Sequence, residues 1–143
     1  MNDYIITPLH KNDYCHGFLQ LLEQLTTVDA ENISYDDFST HFDKMESKKT
    51  FVIKHNDRII GTASILIEAK FIHKLSSIGH IEDVVVDSNY RNKGIGKLLI
   101  DHCIDYAKEN NCYKIILNCA EHNIEFYKKC GFNNKNVEMS MYI

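Results

Sequence analysis

Residues 84–97 read VVVDSNYRNKGIGK, and this stretch is the most informative part of the sequence for the fold. Val84, Val85 and Val86 are β-branched and predict a strand. A short basic loop with glycines follows, and from Ile95 apolar residues recur at helical spacing. The stretch therefore predicts a strand that passes through a tight loop directly into an amphipathic helix.

The loop at the start of this helix has the composition of an anion-binding site. The first turn of a helix leaves backbone N–H groups unpaired, and the helix dipole adds partial positive charge. Gly94 and Gly96 would let a ligand approach the backbone, and three cations lie at the same end, Arg91, Lys93 and Lys97. These cations oppose the dipole unless an anion lies among them, so the loop favours a bound phosphate or pyrophosphate. The alternative is a solvated loop with turn glycines, and the spacing matches neither a Walker A loop nor a dinucleotide fingerprint.

The rest of the chain predicts short strands and helices around this unit. The predicted strands are residues 4–7, 50–54, 58–68, 80–87, 113–117 and 137–142, with Asn56-Asp57 as a hairpin turn. We expect the strand at 113–117 to be buried. The predicted helices begin at Asp13, after Ser34, at Ile95 and at Asn123, and Gly131 ends the last one. This order predicts an α+β fold with a mixed, mostly antiparallel sheet and helices on both faces, rather than a purely parallel doubly wound sheet.

The composition is that of one ordinary globular domain. The chain has 143 residues, 44% hydrophobic and 25% charged, which predicts a single domain over residues 1–143. The net charge of −4 disfavours a nucleic-acid or anionic-membrane partner. No apolar run approaches the roughly 18 residues of a membrane helix, and residues 1–4 lack the pattern of a signal peptide. We therefore expect a cytoplasmic protein.

The cysteines and histidines predict neither a disulfide framework nor a metal site. The five cysteines make an odd count without a CxxC pair, and no Cys-His signature marks a nucleophile. We expect them to be small buried hydrophobic residues in a reducing compartment. The eight histidines show no HxxxH spacing, so we expect no metal.

Short motifs in this sequence resemble a known superfamily. Arg91-Asn92-Lys93-Gly94-Ile95-Gly96 is similar to the Q/R-x-x-G-x-G/A motif of the GNAT superfamily, which are acetyl-CoA-dependent N-acetyltransferases. The predicted order of elements is similar to that fold over the whole chain. Within the superfamily, five blocks resemble the glucosamine-6-phosphate N-acetyltransferases: LTTV (25–28), KFIH (70–73), GHIEDVVV (79–86), NCYKIIL (111–117) and FYKKCGF (126–132).

The resemblance implies that acetyl-CoA binds along the strand and the loop. Backbone N–H groups of residues 92–97 would bind the pyrophosphate, and the pantetheine arm would pair with a bulged strand that splays from its neighbour. An N–H near Val84 would polarise the thioester carbonyl, Asn123 would hydrogen-bond the cofactor, and Tyr127 would protonate the CoA thiolate. The implied cofactor-binding residues are Val84, Val85, Val86, Arg91, Asn92, Lys93, Gly94, Ile95, Gly96, Lys97, Asn123 and Tyr127. Without the resemblance, the valines are a buried strand, Asn123 is a helix N-cap and Tyr127 is a core residue.

The resemblance also implies an amino-sugar phosphate as the acceptor. Glu82 and Asp83 would bond its amine and hydroxyls, although adjacent strand residues point to opposite faces, so at most one faces the ligand directly. The implied substrate-binding residues are Thr26, Lys70, Phe71, Ile72, His73, Glu82, Asp83, Tyr113, Lys114 and Asn118, and the implied catalytic residues are Tyr127, Glu82 and Val84. Two lysines and a titratable histidine suit a phosphate. Taken alone, so scattered a set would be surface charge.

Two positions depart from the pattern of the family. Asn118 stands where relatives usually carry Asp or Glu, and an amide cannot accept a proton at neutral pH. Deprotonation of the amine through water or backbone carbonyls is therefore favoured. Tyr142 replaces a basic residue often found near the C-terminus, which leaves that phosphate contact without its usual residue.

The function that the resemblance implies is that of a homodimer with shared active sites. It would transfer acetyl from acetyl-CoA to the 2-amino group of glucosamine 6-phosphate by direct attack, giving N-acetylglucosamine 6-phosphate and CoA for UDP-N-acetylglucosamine synthesis. One alternative is a GNAT enzyme for another amine, a polyamine or a protein N-terminus, although Lys70, His73 and Lys114 oppose a cationic acceptor. The other is a non-catalytic CoA-binding sensor, which the retention of Glu82 and Tyr127 opposes.

Overall fold

Five strands form one sheet in chain order, β1-β2-β3-β4-β5, in a computed structural model that describes residues 4–143. The strands are β1 (Ile6–Pro8), β2 (Lys48–His55), β3 (Arg58–Ala69), β4 (Ser77–Val86) and β5 (Cys112–Ile116). Neighbouring strands are antiparallel from β1 to β4, and β5 alone among these pairs is parallel to its neighbour, β4. The mixed, mostly antiparallel sheet expected from the sequence is confirmed.

Helices cover both faces of this sheet. They are α1 (Phe18–Leu22), α2 (Tyr35–Phe42), the single turn α3 (Ile72–Leu75), α4 (Ile95–Glu109) and α5 (Ile124–Lys129). Because side chains alternate along a strand, Phe51 and Ile53 pack towards Leu99 of α4, whereas Val52 packs towards Phe18 of α1. Each such buried aliphatic or aromatic side chain stabilises the fold by about 1.5–3 kcal/mol, so α4 is held firmly on its face.

Two local features of the fold, the β2–β3 turn and the start of α2, follow from short sequence signals. The β2–β3 hairpin turns at Asn56 and Asp57, which both have the positive φ of a type I′ turn, 52° and 60°. The α2 helix begins with a capping box, in which the Ser34 side chain accepts from the Asp37 N–H and the Asp37 carboxylate accepts from the Ser34 N–H. Both predictions are confirmed.

The first predicted helix is divided in two. A 3₁₀ helix covers Lys11–His16, Gly17 adopts the left-handed conformation with φ 81°, and α1 follows. The break fixes Asp13, whose carboxylate is fully buried and lies 2.7 Å from the Lys54 ammonium of β2. Burial alone would raise the pKa of Asp13, but hydrogen bonds from Lys54, from the His10 N–H and from His16 hold it below its ordinary value.

The strand β4 carries a bulge in its second half. The register shifts by one residue between Thr62 and Ser64 of β3, so Ala63 faces both Asp83 and Val84. Asp83 has a φ of 52°, a left-handed conformation that is uncommon for a residue with a side chain. The bulge that the resemblance implied is therefore present.

The strands β4 and β5 also separate. Their ladder runs from Ser77 to His80 of β4 and ends there. Beyond His80, the described residues supply no strand on that side, so residues 81–86 present a free backbone edge towards the loop that precedes α4. The splay implied by the resemblance is therefore also present.

Three sequence predictions are wrong in the structure. Residues 113–117 are not a buried strand, since β5 is the sheet edge and Ile116 is exposed. Residues 137–142 form no strand with the other residues that the structure describes, and they lie exposed. The cysteines are not all buried, because Cys103 is buried but Cys15 and Cys119 are exposed. The first two errors share one cause, which is that this edge of the sheet has no partner strand among residues 4–143.

Within residues 4–143, none of the helices combines the length and the apolar character needed to cross a membrane. Over the same residues, no group of three or more His, Cys, Asp or Glu side chains could hold a metal ion.

Candidate active site

The start of α4 is an open cluster of backbone donors. Gly94 is its N-cap with φ 80°, and no side chain of the described residues caps the first turn. A Cβ built at Gly94 would meet no atom within 4 Å. The N–H groups of the first turn therefore face open space, with the positive end of a 15-residue helix behind them.

The three cationic side chains near this turn make different contacts. Arg91 donates from Nε to the carbonyl oxygen of Val86 at 3.2 Å, and the Lys93 ammonium lies 5.6 Å from the centre of the Tyr90 ring. Lys97 lies 2.7 Å from the Asp101 carboxylate, and that hydrogen bond raises the pKa of Lys97. Of the three cations predicted at this turn, Lys97 therefore has its charge compensated by Asp101.

Gly96 is small for a reason that the sequence did not indicate. A Cβ at this position would lie 3.0 Å from Cζ of Phe126, so the α5 aromatic ring packs directly on the backbone of α4. The close approach predicted at Gly96 is therefore made by Phe126. Gly94, with its positive φ and open surroundings, retains the role of ligand approach.

The predicted cofactor strand lies beside this turn. Val85 is buried against α1 and α2, while Val84 and Val86 pack at the margin of the core beneath α4. Both interpretations of the valine run therefore hold, since its side chains are packed while its backbone forms the free edge of β4. The bulge at Asp83 and Val84 sets the direction of that edge.

Tyr127 of α5 is half-buried beside Phe126 and Phe132, with ring centres 4.9 and 6.1 Å away. Burial is the main cause that raises the pKa of Tyr127 to about 12, and the nearby Cys119 and Cys130 thiols contribute. The phenol therefore stays protonated at neutral pH. No hydrogen bond joins its hydroxyl to another residue in the part of the chain that the structure describes.

Tyr127 lines a cavity of about 1180 Å³ between β5 and the C-terminal segment. Asn118 and Cys119, which follow β5, line the same cavity. Asn123 is exposed at the N-cap of α5 and makes no side-chain cap there, so its amide is available to a ligand. The structure thus brings Asn118 and Tyr127 to one cavity.

The predicted phosphate contacts are only partly gathered. The His73 ring stacks on Tyr113 with centres 4.0 Å apart, and the Lys114 ammonium lies 5.8 Å from the Tyr113 ring centre. Stacked rings and a cation over a ring face are both favourable arrangements. His73, Tyr113 and Lys114 therefore form one cluster, in which Tyr113 is half-buried between two exposed side chains.

The turn that presents His73 is unusual. His73, Lys74 and Leu75 are three successive residues with positive φ, and none of them is glycine. The Ser76 hydroxyl donates to the His73 carbonyl at 2.6 Å, and the Lys70 N–H donates to the Ser76 carbonyl. Backbone strain of this kind persists only where the surroundings hold it, and it concentrates at functional sites.

The remaining acceptor residues lie apart from that cluster. Lys70 pairs with Glu68 at 3.3 Å, and hydrogen bonds from His80 and then Lys70 lower the pKa of Glu68. Phe71 and Ile72 are exposed at the tip of the turn, Phe71 at 92%. The charge of Lys70 is therefore compensated within this chain.

The bulge changes what Glu82 and Asp83 can do. Both side chains are exposed, and Asp83 accepts from the Lys48 ammonium at 3.0 Å. The alternation expected for adjacent strand residues fails at this point because Asp83 is left-handed. Glu82 is thus the carboxylate with the freer side chain. Thr26 is exposed and lines a separate open cavity of about 640 Å³ after α1.

Two features of the site have no signal in the sequence. Left-handed turn positions are usually occupied by glycine or asparagine, and residues 73–75 contain neither. Gln24, which bonds the end of β4 from the end of α1, has no local motif. The Lys97–Asp101 pair, by contrast, has the i,i+4 spacing that could have been recognised.

Comparisons with known proteins agree on one relationship. The acetyltransferase (GNAT) family matches residues 16–132. The chain is 38% identical over 143 residues to a glucosamine 6-phosphate N-acetyltransferase of Arabidopsis thaliana, covering 96% of this chain and 95% of that protein. A Candida albicans protein of the same name is 36% identical, with coverage of 95% and 93%.

Solved structures give the same result. The crystal structure of the Arabidopsis thaliana glucosamine-6-phosphate N-acetyltransferase has a TM-score of 0.93 and 37% identity, covering 99% of both chains. A Trypanosoma brucei acetyltransferase has a TM-score of 0.91 and 34% identity, covering 99% of this chain and all of that one.

Proposed function

The chain belongs to the acetyltransferase (GNAT) family, and from that membership we propose that it transfers the acetyl group of acetyl-CoA to the 2-amino group of glucosamine 6-phosphate, giving N-acetylglucosamine 6-phosphate and CoA. The observation that carries this proposal is the uncapped first turn of α4 beside the free edge of β4. The names of the Arabidopsis and Candida relatives supply the acceptor.

The residues at the start of α4 and along β4 fit acetyl-CoA. A pyrophosphate needs several donors in one place, and the first turn of α4 offers uncapped N–H groups with Arg91 and Lys93 beside them. An extended amide-bearing arm needs a strand edge, and β4 offers one from residue 81 to residue 86. Bound there, acetyl-CoA supplies the activated acyl group as a thioester.

The bulge of β4 gives the polarising contact. A backbone N–H near Val84 would donate to the thioester oxygen, where negative charge develops as the amine attacks. A fixed donor of this type contributes about 3–4 kcal/mol to a transition state of acyl transfer. Since Asp83 and Val84 share one partner on β3, the bulge frees backbone groups without unravelling the strand.

Tyr127 acts as the acid for the departing thiolate. A phenol with a pKa of about 12 is a weak donor to a thiolate in water, whose thiol has a pKa near 8.5. Burial has the same effect on thiols, since it raises the pKa of Cys103 to about 12. A thiolate held next to Tyr127 gains basicity from the same surroundings, so the two groups remain matched.

On the acceptor side, the phosphate binds the cluster of His73, Tyr113 and Lys114. Glu82 holds the amine and hydroxyls of the sugar, with Thr26, Lys70, Phe71, Ile72 and Asp83 contributing around it. Asn118 orients the amine by its amide oxygen, and the proton leaves through water or a backbone carbonyl because an amide is not a base at neutral pH.

The acceptor side becomes complete in a homodimer. The segment after α5 borders the cavity beside β5 through residues 133–138. Apart from Tyr142, its apolar residues stand at odd positions, Val137, Met139, Met141 and Ile143, each at least 85% exposed. This is the pattern of a strand with one face to bury. The exposed edge of β5 and the cavity beside it are where a second copy would place that segment.

The wider setting follows from the reaction. The product would enter UDP-N-acetylglucosamine synthesis in the cytoplasm, and residues 1–143 would act as a single domain. Acetyl transfer to a polyamine or a protein N-terminus is the competing activity, and a CoA-binding sensor without turnover is the competing role.

Thiol release measured with glucosamine 6-phosphate, glucosamine and spermidine separates these possibilities. Glucosamine 6-phosphate should exceed glucosamine in kcat/KM by about 100-fold, because a phosphate adds charge-assisted hydrogen bonds of about 1.5–3 kcal/mol. Spermidine as the best acceptor would overturn the substrate assignment, and CoA binding without release from any amine would indicate the sensor.

A further inference from the structure

One amide side chain connects two segments that the proposed function uses separately. Gln24 donates from Nε2 to Oδ2 of Asp87 at 3.2 Å and accepts at Oε1 from the N–H of Ser88 at 2.9 Å. Both functional ends of the amide are thus used by two consecutive residues more than 60 positions away. Since Gln24 is otherwise exposed, these contacts and not packing fix its side chain.

Asp87 determines where β4 ends and the loop begins. It is 4% exposed, its N–H donates to the Ile60 carbonyl at 2.8 Å, and its carboxylate accepts from the Asn89 N–H at 2.8 Å. Its carbonyl accepts from the Tyr90 N–H at 2.8 Å. The Arg58 guanidinium lies 3.9 Å away. A shift of Asp87 therefore moves the whole path into the first turn of α4.

Gln24 lies at the other end of this contact, in the segment that follows α1. Its N–H donates to the Leu21 carbonyl, and the Thr26 N–H donates to the Leu22 carbonyl, so the segment turns tightly off the helix. The open cavity of about 640 Å³ is lined by Glu23 and by residues 25–29. Thr26, the proposed sugar contact, is two residues from Gln24.

We infer that Gln24 is a positioning residue that couples the acceptor segment, residues 24–29, to the cofactor loop, residues 87–97. A sugar phosphate that orders the acceptor segment fixes the Gln24 amide, which fixes Asp87 and Ser88 and presents the α4 turn to the pyrophosphate. The coupling is reciprocal, so CoA improves sugar binding by the same factor. The inference rests on the proposed function for the identity of the sugar. The contact of Gln24 with the cofactor loop does not depend on that function.

Titration calorimetry with CoA, with and without saturating glucosamine 6-phosphate, tests the coupling. The set comprises the wild-type protein, Gln24→Ala, Gln24→Glu and the control Gln20→Ala, an exposed glutamine of α1. Gln24→Ala should weaken CoA about fivefold through two lost hydrogen bonds. Gln24→Glu should weaken it further, because its carboxylate would face that of Asp87. Gln20→Ala should match the wild-type protein.

The ratio of CoA affinities with and without the sugar phosphate decides the result. The ratio should exceed one in the wild-type protein and in Gln20→Ala, and should fall towards one in Gln24→Ala. Thermal unfolding of each variant shows whether the fold is kept, and a larger effect of glutamate in a folded protein identifies the contact. An unchanged ratio in Gln24→Ala, or a wild-type ratio of one, overturns the coupling.

The same titrations distinguish this inference from the proposed function. If glucosamine 6-phosphate does not bind the wild-type protein, the proposed acceptor is wrong. The affinities for CoA alone then still decide whether Gln24 positions the cofactor loop. Equal affinities in the wild-type protein and in both Gln24 variants would overturn that role as well.

Discussion

The donor side of this site, where acetyl-CoA would bind along β4 and the start of α4, is more tightly packed than the acceptor side, where the sugar phosphate would bind. On the donor side, α4 packs on the sheet through fully buried residues such as Leu99 and Cys103, and Phe126 fits against Gly96 at contact distance. On the acceptor side, Phe71 is 92% exposed, three residues are left-handed without glycine, and Lys70 is paired within its own chain. In the proposed homodimer, one chain forms the donor side and the second chain completes the acceptor side.

The largest effect should come from the C-terminal segment. Val137→Asp combined with Met139→Asp places charges on its apolar face, so we expect a monomer whose turnover is lower by about 100-fold or more, as for a lost interface core. Sedimentation and thiol release measure both. Ser140→Ala changes the intervening face and should alter neither. A fully active monomer would show that the acceptor side needs no second chain.

Tyr127→Phe should follow in size. Removing the hydroxyl removes the acid and leaves the ring, so kcat should fall by about 100-fold, the lower range for general acid catalysis, with sugar binding nearly intact. Steady-state kinetics and CoA titration separate the two effects, and Tyr35→Phe on the exposed part of α2 is the control. Full activity in Tyr127→Phe would remove this residue from the mechanism.

Two alanine substitutions test how tightly the donor side is packed. Gly96→Ala should lower the free energy of unfolding by about 1–3 kcal/mol, because its Cβ would press on Phe126. Gly94→Ala meets no atom and should cost about 1 kcal/mol through its φ of 80° alone. In thermal unfolding, Phe126→Leu should rescue Gly96→Ala and not Gly94→Ala. Rescue of both, or of neither, would contradict the packing argument.

Tyr113→Leu tests the acceptor cluster. It removes the ring that stacks on His73 and faces Lys114, interactions worth about 0.5–1.5 kcal/mol and 0.5–1 kcal/mol. The KM for glucosamine 6-phosphate should therefore rise about tenfold, while the KM for acetyl-CoA stays constant. Tyr113→Phe keeps the ring and should behave as wild type. A matched rise in both KM values would place Tyr113 outside the acceptor side.

The smallest effect is expected at Asn118. Asn118→Asp supplies a carboxylate in the cavity that Tyr127 lines, and we expect kcat/KM to stay within about threefold, because the amide and the carboxylate offer the same acceptor oxygen to the amine. Initial rates with glucosamine 6-phosphate measure it. A large loss of turnover would mean that the hydrogen-bond network around Asn118 has been rebuilt in this chain.

The features that could be predicted from the sequence are those that depend on residues close together in the chain. The Ser34–Asp37 capping box, the Asn56-Asp57 turn and the helix from Ile95 depend on neighbours in the chain, so they could be predicted. The bulge of β4 was predicted only from the resemblance, because it arises from pairing with β3 and leaves no signal in the composition.

The remaining errors lie where contacts come from a distance. Gln24 contacts residues more than 60 positions away, and the left-handed turn at 73–75 depends on Ser76 rather than on glycine. The strand predicted at 137–142 has the periodicity of a strand but no partner strand in the described part of its own chain. Periodicity indicates that a face must be buried, and it does not say which chain covers it.

The most direct test titrates CoA and glucosamine 6-phosphate separately into the wild-type protein and into the Val137→Asp/Met139→Asp variant. We predict that CoA binds both with affinities within about twofold, since one chain forms the donor side, whereas glucosamine 6-phosphate binds the variant at least about tenfold more weakly. Equal binding of the sugar phosphate by a monomeric variant, or loss of CoA binding by it, would contradict the division between a donor side made by one chain and an acceptor side made by two.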